Sequence, residues 1–257
     1  MERTTLTRIS RLLTALVLVC GGVAFYSNMK RSALPKESDL LNELKDEPEQ
    51  EEISERAFVH KWRGQEFVVH PVADYSITGL LVSRNDIGGF ADIYHTSNSV
   101  DVVDVCLIWG ANARERVYKN VQFGSEPFSC WYRDPDGQAM PFFHPDQLSN
   151  THVLAKDESL GRRLSGLRIG DQIRMSGRLV NYNPAGASEM LRKSSLVRTD
   201  AGDGACEVMF VESLEVLKRG NPGWNDLFDA ARLAFLVLLV LKISSALVFP
   251  YLEYRLS

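Results

Sequence analysis

Two long apolar stretches fence this 257-residue chain, so whatever folds between them folds on a tether. The first, "LLTALVLVCGGVAFY", follows Arg3, Arg8 and Arg11. It reads either as an uncleaved anchor or as a signal peptide with a small-residue site at "GVA". A lipoprotein site at Cys20 is disfavoured by Val19, where a small residue is expected. On both readings the arginines stay in the cytosol and the chain after them leaves it. The second stretch follows the turn-rich "RGNPGW", in which Asn225 or Asp226 is placed to cap a helix. Its apolar part, 233–251, matches the ~20 residues that a bilayer core requires. Trp224 and Phe228 would mark one interface, Tyr251 and Tyr254 the other. The expected divisions are an anchor or signal peptide at 1–29, a spacer at 30–57, an exported domain at 58–219 and a transmembrane helix at 224–252.

Lys242 stands in the middle of the second stretch. On insertion scales a central lysine costs about 2.5–3.5 kcal/mol, while each central Leu, Ile, Phe or Val returns roughly 0.3–0.6. Twelve such residues between 233 and 249 outweigh it. Ala234, Leu238, Lys242, Ser245 and Ala246 recur at helical spacing as a small and polar stripe, the kind of face that packs on another helix. Lys242 and Ser245 are therefore the candidate intramembrane contacts. Lys242 either meets a partner on another subunit or snorkels to the headgroups.

Residues 36–56 carry nine acidic side chains, from Glu37 to Glu55, and few large apolar ones. Such a run repels itself and predicts an extended or partly helical spacer, with Leu40, Leu41 and Leu44 allowing one short amphipathic turn. Beyond it the pattern changes to short alternating runs rich in β-branched and aromatic residues, broken by Gly, Pro and Asn/Asp. "YSITGLLVS", "VVDVCLIWG", "RVYKNVQF", "FSCWYR", "QIRMSGRLVNY" and "CEVMFVESLEVL" are the predicted strands, with short helices at "DQLSNTHVL" and "DESLGRRLSGL". In "QIRMSGRLVNY" Ile173, Met175, Gly177 and Leu179 share one face, and Gly177 permits a sharp bend. The fold class is mainly β: a small closed barrel of the OB type, or a β-sandwich, flanked by N- and C-terminal hydrophobic helices.

Three cysteines, Cys106, Cys130 and Cys206, lie in the exported region, so one disulfide among them is the most they can form within the chain. Cys106 and Cys130 also suit small core side chains. No C-x-x-C or H-x-x-H spacing occurs, and neither metal nor cofactor is expected. "HPD" at His144–Asp146 reads as a proline-set turn. A Cys-His-Asp nucleophilic site is conceivable from Cys206, His152 and Asp200 or Asp203.

Between 156 and 198 nine cationic residues face four acids, a local net of +5 in a chain whose total is −4. Arg192, Lys193, Ser194, Ser195 and Arg198 supply donors, Gly202 and Gly204 allow backbone N–H groups to converge on an anion, and Arg174 and Arg178 extend the surface. The combination points to a bacterial inner-membrane protein with its main domain in the periplasm. Its expected role is a binding or assembly module of an envelope complex. The bilayer, other membrane subunits or a second copy, and an anionic polymer or headgroup are the expected partners. An envelope hydrolase or transferase is the alternative. Nucleic acid enters only if the topology is inverted, when Trp131, Tyr132 and Tyr182 would stack bases.

Overall fold

The computed structural model describes residues 3–88, 99–114, 117–187, 189, 192–200 and 205–256. The chain divides into two units, one made of 1–33 and 221–257, the other of Leu34–Gly220.

The first unit is a pair of helices, α1 (Arg3–Arg31) and α4 (Pro222–Leu256), both long and apolar enough to cross a membrane. They run antiparallel. Near one end Tyr26 meets Trp224 edge-on at 5.6 Å, in the middle a Cβ on Gly21 would press the Phe235 ring, and near the other end Lys242 reaches Ser10. Lys242 Nζ donates to the Ser10 hydroxyl at 2.6 Å and to the Ser10 carbonyl at 3.2 Å. The sequence places Lys242 mid-span; the pairing instead sets it level with Ser10, between Arg8 and Arg11 at the charged end of α1. From Ser10 to Tyr26 is roughly 24 Å of helix, and from Lys242 to Trp224 roughly 27 Å. Those lengths approach the ~30 Å of a hydrocarbon core. The side chains of Tyr251 and Tyr254 lie outside the described residues.

The second unit is mainly sheet. Nine strands are described: β1 (Glu49–Glu52), β2 (Phe58–Trp62), β3 (Gln65–Asp86), β4 (Asp101–Ile108), β5 (Gln122–Glu126), β6 (Ser129–Arg133), β7 (Leu148–Ala155), β8 (Gln172–Pro184) and β9 (Glu207–Lys218). Two short helices join them, α2 (Gly110–Arg114) and α3 (Glu158–Ser165). Strands β3, β4, β7, β9 and β8 are hydrogen-bonded in that order, and β8 pairs with β3 again, so one sheet closes on itself as a ring. All of its main pairings are antiparallel except β7–β9.

Alternation builds the ring. Phe67, Val69, Ala73, Tyr75 and Ile77 of β3 are buried inside it with Val103, Val105 and Leu107 of β4 and Ile173, Met175 and Leu179 of β8. Helix α3 adds Leu160 and Leu164 to this core, its first turn capped by Asp157, which accepts from the Leu160 amide at 2.9 Å. The opposite face of β3 and β4 is covered as well. Leu80, Val82, Cys106 and Ile108 pack there with Ala113, Tyr118, Phe123 and Cys130. Two-sided burial explains why "GLLVS" and "VVDVCLI" read as continuous rather than alternating apolar runs.

Three predicted elements come out differently. "DQLSNTHVL" is chiefly strand β7, because both neighbours, β4 and β9, offer it a ladder and its side chains are buried on both faces. In "RVYKNVQF" a 3₁₀ turn at Val117–Lys119 precedes β5. The acidic spacer is largely strapped to the domain. Leu44 is 1 % exposed in the outer cluster, Gln172 bonds the Asp39 carbonyl and the Leu41 amide, and 49–52 pair with β3 as β1. Apolar positions at 34, 40 and 44 fill the outer cluster while all the acids but Glu37 are exposed. "DESLGRRLSGL" does form the expected helix, and "HPD" sits at a 3₁₀ turn.

Gly177 marks the tightest point of the ring. The β8–β9 register slips between Ser176 and Gly177, and a Cβ there would lie 2.1 Å from the Phe210 carbonyl oxygen. Gly177→Ala must open the β8–β9 ladder, at about 3 kcal/mol. The expected result is a fall of roughly 10 °C in the unfolding midpoint of the β domain. Gly22→Ala in α1, whose Cβ meets nothing within 4 Å, should leave that midpoint unchanged.

Candidate functional site

On the outer face of the ring, register alone assembles a polar row. Asn85 of β3 lies opposite Asp104 of β4, and Asp104 lies opposite His152 of β7. Residues directly opposite in an antiparallel pair project to the same face with Cβ atoms about 5 Å apart. The Asn85 amide donates to Asp104 Oδ2 at 3.2 Å, and His152 Nδ1 stands 2.7 Å from Asp104 Oδ1. Arg192, from the long connection between β8 and β9, closes the row with Nη2 at 2.9 Å from His152 Nε2. Asp104 and His152 are each 1 % exposed.

Asn150, two residues before His152, occupies the same face of β7. Its amide donates to the Phe128 carbonyl at 3.1 Å and to Cys206 Sγ at 3.0 Å. Cys206 is half-buried. Phe128 takes φ +66° at the turn of the β5–β6 hairpin, its ring edge-on to His152 and 4.4 Å beneath the Arg192 guanidinium. A disulfide between Cys106 and Cys130 fastens this hairpin to β4. The row therefore lies under a stapled cover.

A carboxylate at Nδ1 and a guanidinium at Nε2 assign the neutral Nδ1–H tautomer. Burial alone would lower the His152 pKa; hydrogen bonds to Asp104 and Cys206, with the Asp104 charge, outweigh it and lift the pKa to about 9, while Arg192 pulls the other way. His152 thus has a high affinity for a proton, which it can hold only if Arg192 turns off Nε2, since two like charges would otherwise meet.

Cys206 meets Asn150, two residues before His152 on β7, and its thiol donates to the Phe128 carbonyl at 3.7 Å, while the acid on His152 is Asp104. Asp200 instead accepts a hydrogen bond from the Ser195 hydroxyl, while Asp203 lies outside the described residues, as do Gly202 and Gly204. Ser194 and Ser195 lace their segment to its neighbours. The Ser194 hydroxyl accepts from the Val208 amide at 3.0 Å, and the Ser195 amide donates to the Cys206 carbonyl at 2.9 Å. Arg198 donates to the Pro48 carbonyl at 3.0 Å. Arg174 pairs with Glu215, and Arg178 lies within 4 Å of Glu55, Glu212 and Asp74. Acids supplied by distant stretches of chain thus offset the local excess of +5, leaving Lys193 exposed beside the half-buried Arg192. Ser245 donates to the Lys242 carbonyl within α4.

Asp104, Asn150 and Phe128 were not among the sequence candidates. A trace of the first existed, since Asp104 interrupts an otherwise apolar strand, where an acid needs a partner. Its pairing with His152 depends on register. No protein-family model, curated protein or solved structure matches the chain.

A second buried acid lies beside the row. Glu207, 8 % exposed at the start of β9, has its carboxyl pushed up to about 7 by burial, against the pull of its own backbone N–H and of Arg198. Its folded pKa exceeds the usual 4.5, so the fold binds the extra proton. That contribution to stability is complete below pH 4.5 and is lost as pH rises through about 7. The unfolding midpoint should fall between pH 5 and pH 8, and Glu207→Gln should flatten that part of the profile. An unchanged profile in Glu207→Gln would place the titration elsewhere.

Proposed function

We propose that this chain is a bacterial inner-membrane protein whose periplasmic domain is an OB-like binding or assembly module. The anchoring is supported by two helices of membrane-crossing length and apolarity, and the periplasmic side by a disulfide, since such bonds persist in oxidising compartments. The OB-like reading rests on strand order. Numbering the ring strands by sequence, β3, β4, β7, β8 and β9, the order is one, two, three, five, four and back to one. Strands three and five are parallel, and helix α3 lies between three and four.

OB folds bind ligands on the face of strands two and three, flanked by the loops joining one to two and four to five. Here those strands are β4 and β7, and the loop from four to five carries Arg192, Lys193 and Arg198. The observation that carries the binding reading is Arg192 reaching from that loop onto the β4–β7 face at His152. An anionic partner fits, because Arg192 of this loop reaches that face and Lys193, next to it in the chain, is an exposed cation. Acidic polymer, headgroup and acidic protein surface share that chemistry.

Two measurements test the proposal. A reporter active only outside the cytosol, fused after Leu217, should be active; an inactive fusion refutes the periplasmic placement. The full chain in neutral detergent should be retained on a polyanionic matrix, with retention weakening as salt rises. Lys193→Glu should elute at lower salt with its unfolding midpoint unchanged. Identical elution of the variant and the wild type refutes the charge-based account of partner capture.

A further inference from the structure

We propose that the cavity between the acidic spacer and α2 is a lipid site, which takes the headgroup and first methylenes of an anionic phospholipid from the bilayer that anchors the chain. The cavity measures about 390 Å³, within the range of small-molecule sites. Leu40, Leu41 and Leu44 of the spacer and Ala113 of α2 form its apolar wall, and the exposed side chains of Lys45 and Arg114 stand beside them. The local sequence makes this wall amphipathic. A 3₁₀ turn at Asn42–Lys45 packs against α2 and drives Leu44 into the outer cluster, while Leu40 and Leu41 stay half-buried. A hydrocarbon chain covers such surface favourably.

Charge selects the headgroup. Lys45 Nζ donates to Asn42 Oδ1 at 2.7 Å, a neutral partner, and neither Lys45 nor Arg114 forms an ion pair with a described residue. Elsewhere on the domain Arg174, Arg178 and Lys218 do find acids. Among the described residues Glu37 is the one acid lining the cavity, against two cations; Glu43 and Asp46 of the same spacer are not part of the lining. A phosphate diester accepts from both cations, from the guanidinium as a fork and from the ammonium as a point charge.

Connectivity supplies the lipid. Leu40 follows Arg31, the last residue of α1, by about nine residues, at most about 30 Å of extended chain. The other tether holds the same spot. Lys218 Nζ donates to the carbonyl of Asp39, the neighbour of Leu40, at 2.7 Å, and α4 begins at Pro222, at most about 14 Å of chain further on. The cavity is therefore tied by short lengths of chain to the ends of both apolar helices. This step rests on the bilayer-anchored reading, but on neither the periplasmic side nor the Arg192 loop.

The test uses the full chain in phosphatidylcholine nanodiscs with a trace of phosphatidylglycerol that carries a photoreactive diazirine early in one acyl chain. After irradiation, peptide mass spectrometry maps the adducts. Adducts on α1 and α4 report the bilayer, and adducts on 40–45 and 110–114 report the cavity; both sets are expected. The cavity adducts should be at least about fivefold fewer when the diazirine is carried by phosphatidylcholine, and should fall by a similar factor in Lys45→Glu combined with Arg114→Glu. The helix adducts should be the same in all three cases, and Lys193→Glu should leave both sets unchanged. Adducts on the helices alone overturn the lipid site and leave the anchoring intact. No adduct on either helix overturns the anchoring, and with it the source of the lipid. Equal cavity labelling by the two lipids, or by the wild type and the double variant, overturns the choice of an anionic headgroup.

Discussion

The pairing of β3 with β8 is the constraint on which the rest depends. Without it the strands would form an open sheet with two long apolar edges. With it, thirteen residue pairs close the ring, from Phe67–Pro184 to Leu80–Gln172. Closure requires strong local coiling, and two of the register irregularities in the ring show how the sequence provides it. On β3 the register slips between Pro71 and Ala73, and on β8 Gly177 leaves room for the Phe210 carbonyl where any side chain would collide. Closure also fixes which residues face outward, and so places Asp104 and His152 side by side under the hairpin.

Burying that polar row has an energetic logic. An isolated carboxylate or imidazolium inside a protein is costly, whereas a connected set is tolerable when every member is satisfied. Asp104 receives hydrogen bonds from Asn85, the Phe128 amide and His152, and His152 receives one from Arg192. The disulfide holds the cover in place. A 24-residue separation corresponds to about 3.5 kcal/mol of lost freedom in the unfolded chain. The row and the staple act together: one positions the β8–β9 connection, the other keeps water from the groups that position it.

Much of the architecture was legible because it is written in local periodicity. The two apolar helices, the alternation of β8, the bend at Gly177 and helix α3 follow from residues within one element. Strand β7 was not, since "DQLSNTHVL" contains polar residues whose partners lie on β4 and on the hairpin. The spacer misled for a related reason: its acids dominate the composition, while the leucines that strap it down are few. Charge misled in the opposite direction. Arg174 and Arg178 look unopposed in their own stretch, yet Glu55, Asp74, Glu212 and Glu215 come to them through folding. Cys206 and His152 were visible as residue types; Asp104, the acid on His152, required register. Lys242 belongs to the same class, because its depth depends on how α4 aligns with Ser10 of α1.

His152 locks the β8–β9 connection onto the β4–β7 face through the hydrogen bond it receives from Arg192. Amide hydrogen exchange on the full chain, compared between wild type and His152→Ala, tests it most directly. The account expects faster exchange at Arg192 and Ser195, whose amides bond Tyr182 and Cys206, with the β3–β8 ladder as protected as before. Unchanged protection at Arg192 and Ser195 would contradict it, since the connection would then be held without the histidine.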